Sequence, residues 1–184
     1  QATLESGQSY LWRRADGNMY EDDDRQGGDA WYETVVRAGE AGRARLDRGE
    51  PVVIRARQRD GFLEWESSTD AATLVRSLLR LDDDLPAIRA ATPDEPLLEA
   101  AYDRYWGMRL VRDPPFGALV SFICSAQMRV SRIHEMQVAL ADAFGDTVSM
   151  DGVNYRVFPT PEQLAGASEA DLRDLGLGYR APYV

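Results

Sequence analysis

The amino-acid sequence contains no lysine: all 21 basic residues among its 184 are arginines, and 31 aspartates and glutamates outnumber them. The formal net charge is therefore −10. An acidic composition without lysine predicts a source adapted to high salt, such as a halophilic archaeon. Acidity alone argues against a nucleic-acid partner, because phosphate contacts normally need a basic surface. At molar salt, however, the Debye length falls to about 3 Å, so short-range contacts decide binding.

Cysteine, histidine and long apolar runs are also scarce. The single cysteine, Cys124, excludes an intrachain disulfide and lies in an apolar run that predicts its burial. The only histidine, His134, has no cluster of Cys, His or acidic residues at ligand spacing, and no Gly-rich phosphate loop is present, so we expect neither a metal nor a small-molecule cofactor. No apolar run approaches the roughly 18 residues that span a bilayer, and no signal segment is visible. We therefore expect a cytoplasmic monomer without membrane contact.

The first third of the sequence has the pattern of an antiparallel sheet. Aromatic and β-branched residues recur there at strand spacing, separated by small residues that are typical of hairpin turns. The predicted strands are residues 8–14, 30–37, 51–59 and 62–67. The predicted turns are residues 16–18, 27–28 and 60–61.

From Thr69 onwards the apolar residues recur at helical spacing, and Thr69 and Asp70 are candidate N-caps. Helices are predicted for residues 74–81, 83–91 and 94–106. This change from strands to helices predicts an α+β fold.

After a break at Asp113 and two prolines, residues 116–124 form a nearly continuous apolar run. The run fits either a central strand or a buried helix, and we assign a helix. A second, amphipathic helix is predicted for residues 130–144 and ends at Gly145. Residues 164–175 predict two short helical pieces, with Ser168 as a cap.

Three motifs, in this order along the chain, resemble the 8-oxoguanine DNA glycosylase family of the helix-hairpin-helix superfamily. They are residues 6–12 (SGQSYLW), 121–133 (SFICSAQMRVSRI) and 175–181 (LGLGYRA). The resemblance implies that residues 1–113 form an antiparallel sheet with helices, similar to the TATA-binding protein fold. It implies that residues 114–184 form the first helices of an all-α glycosylase domain.

The first motif places Gly7 where the family uses a backbone carbonyl to recognise the damaged base. In 8-oxoguanine N7 carries a proton and donates, whereas N7 of guanine is an acceptor that a carbonyl repels. The resemblance therefore implies that Gly7 is a lesion-base-binding residue. A glycine also allows close backbone approach at a simple turn, which is the alternative for this position.

The second motif places Gln127 where the family inserts a side chain into the space left by the flipped nucleotide. Such a residue lowers the cost of unstacking and unpairing. The 8-oxoguanine enzymes have asparagine there, and Ser-Ala-Gln instead resembles the endonuclease III branch, so cytosine is less firmly implied as the opposite base. The neighbouring Met128 is either a wedge or part of the loop packing, and Arg129 is a candidate phosphate contact.

The same motifs place three further side chains against the opposite strand. Arg132 matches an arginine that contacts the orphan base, since a guanidinium is a rigid donor fork for O2 and N3 of cytosine. Tyr179 and Arg180 match a pair formed by a stacking wedge and a second arginine. The alternatives are a surface arginine on a helix and a half-buried tyrosine.

The chemistry of the family requires groups that these residues lack. A lysine amine attacks C1′ of the sugar, and a later aspartate supports departure of the base; both follow a hairpin of the Leu-Pro-Gly-Val-Gly type. Neither a lysine nor this hairpin occurs here, so we assign no catalytic residue. We expect the chain to be truncated before the hairpin, with the catalytic residues beyond Val184.

The resemblance implies a base-excision repair enzyme that removes 8-oxoguanine from double-stranded DNA, with AP lyase activity. Two alternatives stay open at this point. One is a glycosylase for alkylated bases such as 3-methyladenine, and the other is a non-catalytic DNA-binding or assembly module.

Overall fold

The computed structural model describes residues 1–20, 29–38 and 49–184. In this part of the chain, four antiparallel strands form one sheet in the order β1-β2-β3-β4. The strands are β1 (Arg13–Arg14), β2 (Tyr32–Ala38), β3 (Glu50–Arg59) and β4 (Phe62–Ser67). Asp60 and Gly61 join β3 to β4 and both have positive φ, as a two-residue hairpin turn of this kind requires. The turn predicted at residues 27–28 lies outside the described residues.

The prediction of a first strand over residues 8–14 was wrong except at its end. Only Arg13 and Arg14 pair with β2. The preceding residues bond to distant parts of the chain instead: Gln8 bonds to the backbone of Arg109, and the Ser9 hydroxyl bonds to Asp113. These side-chain bonds hold residues 7–12 as an irregular segment beside the sheet.

One face of the sheet is buried under the first helix, α1 (Ala72–Leu78). Alternate residues of β2 are buried and lie opposite buried residues of β3, for example Val36 opposite Val52. α1 covers them with Leu74, Val75 and Leu78. Each such side chain contributes roughly 1.5–3 kcal/mol through burial, which is why this alternation fixes the register of the sheet.

The three helices predicted after the sheet are confirmed. The first lies at Ala72–Leu78 and is shifted from the predicted residues 74–81, and the other two are shorter than predicted. The capping prediction was wrong in detail, because the residue that caps α1 is Ala71 and it makes no side-chain cap bond. Two further helices follow, α2 (Leu85–Ala90) and α3 (Pro96–Tyr105). Asp84 caps α2 by accepting the backbone N–H of Ala87 at 2.9 Å.

The apolar run after the double proline is a helix, α4 (Pro115–Ser125), as assigned. The next helix, α5 (Val130–Phe144), has the predicted bounds and ends at Gly145. A Cβ on Gly145 would lie 1.8 Å from the carbonyl oxygen of Val157, so the chain returns over this residue too closely for any side chain.

The chain then forms a hairpin that was not predicted, β5 (Thr147–Met150) and β6 (Val153–Arg156). Two short helices follow, α6 (Pro161–Leu164) and α7 (Glu169–Asp174), and a 3₁₀ helix covers Gly178–Tyr183. Ser168 caps α7 as predicted, because its hydroxyl accepts the backbone N–H of Asp171 at 3.1 Å. α6 and α7 both begin with a full capping box, which explains how helices this short are held.

The buried apolar residues form two clusters. The first lies between the sheet and α1, and the second lies among α4, α5, α7 and the 3₁₀ helix. The proposed boundary at Asp113 falls between the clusters and stays a prediction. Residues 10–12 touch both: Trp12 belongs to the first cluster, and Tyr10 packs against the second. The α+β class is confirmed, and no described helix has the length and apolar character needed to cross a membrane.

Candidate nucleic-acid interface

The loop between α4 and α5, residues 126–129, exposes three of its four side chains, and the exception is Met128. Gln127 is exposed and has a φ of 51°, a left-handed conformation that is uncommon for a residue with a Cβ. Arg129 is also exposed and precedes the first turn of α5. Met128 is partly buried and packs against the second cluster, as the loop-packing alternative expects, and its role as a wedge stays a prediction.

The third motif, residues 175–181, donates hydrogen bonds to the backbone of this loop. The Tyr179 hydroxyl donates to the carbonyl oxygen of Ala126 at 3.2 Å, and the Arg180 guanidinium donates to the same oxygen. The Arg180 guanidinium also stacks on the Tyr179 ring, with 4.3 Å from Cζ to the ring centroid. A single carbonyl therefore receives two donors from a turn more than 50 residues away.

The two residues of this pair differ sharply in exposure. Tyr179 is 56% exposed, so its ring is accessible beside the loop. Arg180 is 4% exposed, with its guanidinium beneath Ala126. The sequence-based expectation gave both residues a direct contact with DNA; in this structure the guanidinium of Arg180 binds the loop backbone instead.

Arg132 lies on the first turns of α5 and has two neighbours that the sequence analysis missed. Its guanidinium pairs with Glu135, three residues along the same helix, at 2.6 Å. It also lies on the backbone of Gly176, where a Cβ would approach Arg132 Nη2 to 2.2 Å. Gly176 has a φ of 88°, so glycine is required there twice, for its backbone conformation and for the close approach. The i, i+3 spacing of Arg132 and Glu135 could have indicated the ion pair, whereas the Gly176 contact depends on the fold.

Gly7 lies beside the beginning of α5. Its φ is 84°, and a Cβ at this position would meet the Val130 side chain at 3.2 Å. Because Val130 directly follows the loop, the structure brings the first and second motifs together. The third motif reaches the same place through Ala126 and Arg132.

Three titratable groups near this site have pKa values shifted by burial. Asp113 has its pKa raised to about 6, because burial disfavours the charged form more than the hydrogen bond from Ser9 favours it. Burial also lowers the pKa of His134, so its ring is neutral at neutral pH. Burial raises the pKa of the Cys124 thiol, and this cysteine is an apolar core residue rather than a nucleophile.

The described residues include no group of three or more His, Cys, Asp or Glu side chains that could hold a metal ion. The groups that this surface does offer are hydrogen-bonding side chains, the exposed ring of Tyr179 and arginines. These are the groups by which proteins hold unpaired bases and phosphates.

Comparisons with known proteins point to DNA-repair enzymes. Residues 120–184 match the family described as "HhH-GPD superfamily base excision DNA repair protein". The N-glycosylase/DNA lyase of Saccharomyces cerevisiae is 30% identical over 98% of this chain and 46% of its own length. Residues 120–184 are thus similar to the helix-hairpin-helix base-excision repair proteins.

Two solved structures are similar in fold to nearly the whole chain. The structure of MBOgg1 in complex with a low-affinity DNA ligand has a TM-score of 0.76 and 26% identity over 98% of this chain and 55% of that one. The 8-oxoguanine glycosylase/lyase of Clostridium acetobutylicum, in complex with double-stranded DNA containing cytosine opposite 8-oxoG, has a TM-score of 0.74 and 22% identity over 99% and 55%. The chain is thus similar in sequence and fold to N-glycosylase/DNA lyases and 8-oxoguanine glycosylases, and it spans about half the length of these relatives.

Proposed function

We propose that the full-length protein is a base-excision repair glycosylase that flips 8-oxoguanine out of double-stranded DNA and removes it, with AP lyase activity. The observation that carries the proposal is the meeting of three distant motifs at the beginning of α5: Gly7, the loop at residues 126–129 and the turn at residues 175–180. In this proposal the 184 residues supply contacts to DNA and to the lesion. They supply no lysine for the chemistry.

The proposed role of Gly7 is to offer its carbonyl oxygen to N7 of the flipped base. The N7 proton of 8-oxoguanine would be accepted there, whereas guanine would place two acceptors against each other. A buried pair of unsatisfied acceptors costs about 1–3 kcal/mol, which corresponds to roughly fivefold to 150-fold discrimination.

The proposed role of Gln127 is to occupy the space left by the flipped nucleotide. Its exposed side chain stands on a loop whose backbone is fixed at Ala126, so little flexibility has to be lost on binding. Beside it, the exposed ring of Tyr179 would stack on a neighbouring base. Arg180 would act mainly by holding both groups in place, since its guanidinium binds the Ala126 carbonyl and stacks on Tyr179.

Arg132 and Arg129 complete the proposed interface. Arg132 would turn from Glu135 to the orphan base, and Arg129 would bind a phosphate. The reaction itself would use a lysine amine from outside these residues. As its bond to C1′ forms, the bond from C1′ to the base breaks, and the base leaves with the electron pair and takes up a proton.

The test is base release by the full-length protein from duplexes that carry 8-oxoguanine or 3-methyladenine, each opposite all four bases, from dilute to molar salt. We expect release of 8-oxoguanine, followed by strand cleavage at the abasic site. Release of 3-methyladenine alone would move the protein to the alkylated-base glycosylases. Binding without release of either base would assign it to the non-catalytic DNA-binding modules.

A further inference from the structure

The segment that contains Gly7 is held by three sets of hydrogen bonds. The first set is made by the Gln8 side chain. Its Nε2 donates to the carbonyls of Thr3 at 2.7 Å and Arg109 at 2.8 Å. Its Oε1 accepts the backbone N–H of Val111 at 3.0 Å. Gln8 thus uses both the NH2 group and the oxygen of its side-chain amide to hold the segment against residues 109–111.

The second set is made at Ser9, which is fully buried. Its hydroxyl donates to Asp113 Oδ1 at 2.9 Å, and its carbonyl accepts the Tyr20 hydroxyl at 3.0 Å. The two residues that directly follow Gly7 in the chain, Gln8 and Ser9, are therefore both fixed through their side chains.

The third set is made by His134 from α5. Its Nδ1 lies 3.2 Å from the carbonyl oxygen of Tyr10, and its ring meets the Tyr20 ring edge-on, with 5.7 Å between the centroids. Because a carbonyl only accepts, Nδ1 carries the proton in this contact. His134 lies one helical turn after Val130, the residue that contacts Gly7, so both face the segment from the same side of α5.

A glycine needs such support if its carbonyl is to point in one direction. Glycine is the most permissive residue of the backbone, and a hydrogen bond weakens steeply as its angle departs from linear. The bonds at Gln8 and Tyr10 fix the chain on the C-terminal side of Gly7 and tie it both to residues 109–111 and to α5. Neither His134 nor Gln8 belongs to the proposed DNA-contacting set.

We propose that His134 and Gln8 are positioning residues that fix the direction of the Gly7 carbonyl, and that they thereby set the discrimination between 8-oxoguanine and guanine. This inference rests on the proposed function. It adds a role for two side chains that touch neither the lesion nor the DNA.

The test uses the full-length protein with His134→Leu, His134→Asn and Gln8→Leu. Asn places a donor near the position of Nδ1, so it is the conservative replacement, whereas Leu removes the hydrogen bond. Gln163→Leu is the matched control, because the Gln163 side chain also joins two parts of the chain, through Thr160 N–H at 2.9 Å and Asp146 Oδ1 at 2.8 Å, far along the sequence from Gly7.

Affinity is measured for three duplexes of one sequence, with 8-oxoguanine, guanine or a baseless sugar analogue at the same site. For both variants with Leu we expect the ratio of affinities for the 8-oxoguanine and guanine duplexes to fall about fivefold to tenfold. The affinity for the baseless duplex should stay within about twofold, and His134→Asn should restore most of the ratio.

Two results would overturn the inference. A loss of affinity that is equal on all three duplexes would indicate a purely structural role, and so would an unchanged ratio in both variants with Leu. If His134→Leu does not fold, Gln8→Leu decides alone. Failure of the proposed function is distinguishable, because the unmodified protein would then bind the 8-oxoguanine and guanine duplexes equally well.

Discussion

At the scale of the residue, Gln127 combines an unfavourable backbone with a proposed role in DNA binding. Its φ of 51° costs a residue with a Cβ roughly 1 kcal/mol or more, and glycine adopts this conformation without that cost. The side chain is exposed and contributes little to the core. A strained, exposed polar residue at a loop tip is more easily explained by binding than by stability.

We predict that Gln127→Gly keeps or raises the thermal stability of the protein, while Gln127→Ala leaves it nearly unchanged. Both variants should release base from duplex DNA more slowly, by about tenfold, because the space left by the flipped nucleotide is no longer filled. Arg132→Ala should show the same loss with the fold intact. Thermal unfolding and single-turnover base release check these outcomes, and normal rates in Gln127→Ala and Arg132→Ala would remove both assigned roles.

Asp113 gives a prediction about pH. Its pKa is raised to about 6 from an ordinary value of 3.8, so the folded protein prefers the neutral carboxyl. The stability contributed by this group is fully present below about pH 4 and is lost as the pH rises through about 6. Asp113→Asn mimics the neutral form and can still accept the hydrogen bond from Ser9.

We therefore expect the stability of Asp113→Asn, relative to the unmodified protein, to increase between pH 4 and pH 7 by up to about 3 kcal/mol. Denaturant unfolding at the two pH values measures this difference. Asp174→Asn, at the exposed end of α7, controls for the loss of one negative charge. A constant difference between the two pH values would show that burial does not raise the pKa of Asp113.

At the scale of the element, the turn at residues 175–180 supports two other parts of the site. It accommodates the Arg132 guanidinium over Gly176, and it donates to Ala126 through Tyr179 and Arg180. Because this support is made by packing between elements, a small change in the turn should be felt at the DNA-binding surface.

Gly176→Ala tests this support. The new Cβ would lie 2.2 Å from Arg132 Nη2, and alanine would be strained at a φ of 88°. We expect a loss of about 1–3 kcal/mol in stability and a displaced Arg132, with weaker binding to DNA. Gly178→Ala is the matched control, since Gly178 also has positive φ, at 58°, but has open space around its Cβ position. If both variants lose DNA affinity equally, the contact between Gly176 and Arg132 is not what matters.

The elements also show what the sequence could and could not predict. The bounds of α5 and the cap at Ser168 follow from periodicity and capping chemistry, which are local. The hairpin β5–β6 carries the same Asp-Gly signal as the turn between β3 and β4 and was nevertheless missed, since its strands have only four residues each. The segment before Arg13 was predicted as strand because its composition is strand-like, but its hydrogen bonds go to residues about 100 positions away.

The site shows the same difference between features set by local sequence and features set by long-range packing. Gly7, Gln127 and Arg132 could be selected because each lies in a short motif. The burial of Arg180 under Ala126 and the approach of Arg132 to Gly176 could not, because each depends on how distant turns pack. Motifs identify which residues meet at α5, and packing decides which of them remain accessible.

At the scale of the whole molecule, much of the arginine charge is used within the protein. On the outer face of the sheet, Arg55 pairs with Glu66 at 2.9 Å and Arg57 pairs with Glu64 at 2.6 Å. Both guanidinium groups also stack on Trp31, at 5.0 and 4.6 Å from its ring centroid. Such paired arginines are not available to phosphates. Because these 184 residues carry a net charge of −10, the DNA binding proposed for them would rest on a few local contacts.

Because few arginines are free to bind phosphates, we predict that the affinity for DNA falls only slowly as the salt concentration rises. Each phosphate neutralised by a basic side chain contributes a slope of about −0.9 to a plot of log affinity against log salt concentration. Arg129 is exposed at the loop and, in the described part of the chain, has no carboxylate partner. We expect Arg129→Gln to weaken binding to all duplexes alike and to make the slope shallower by about 1.

The matched variant is Arg173→Gln, which removes another exposed arginine that already pairs with Glu169 at 2.7 Å on α7. Its slope should equal that of the unmodified protein. Equilibrium binding over a series of salt concentrations, up to the molar range, distinguishes the two. If both variants change the slope equally, the affinity reflects overall charge rather than a contact at Arg129. If only Arg129→Gln changes it, an acidic protein binds DNA through local contacts that persist where long-range electrostatics is screened.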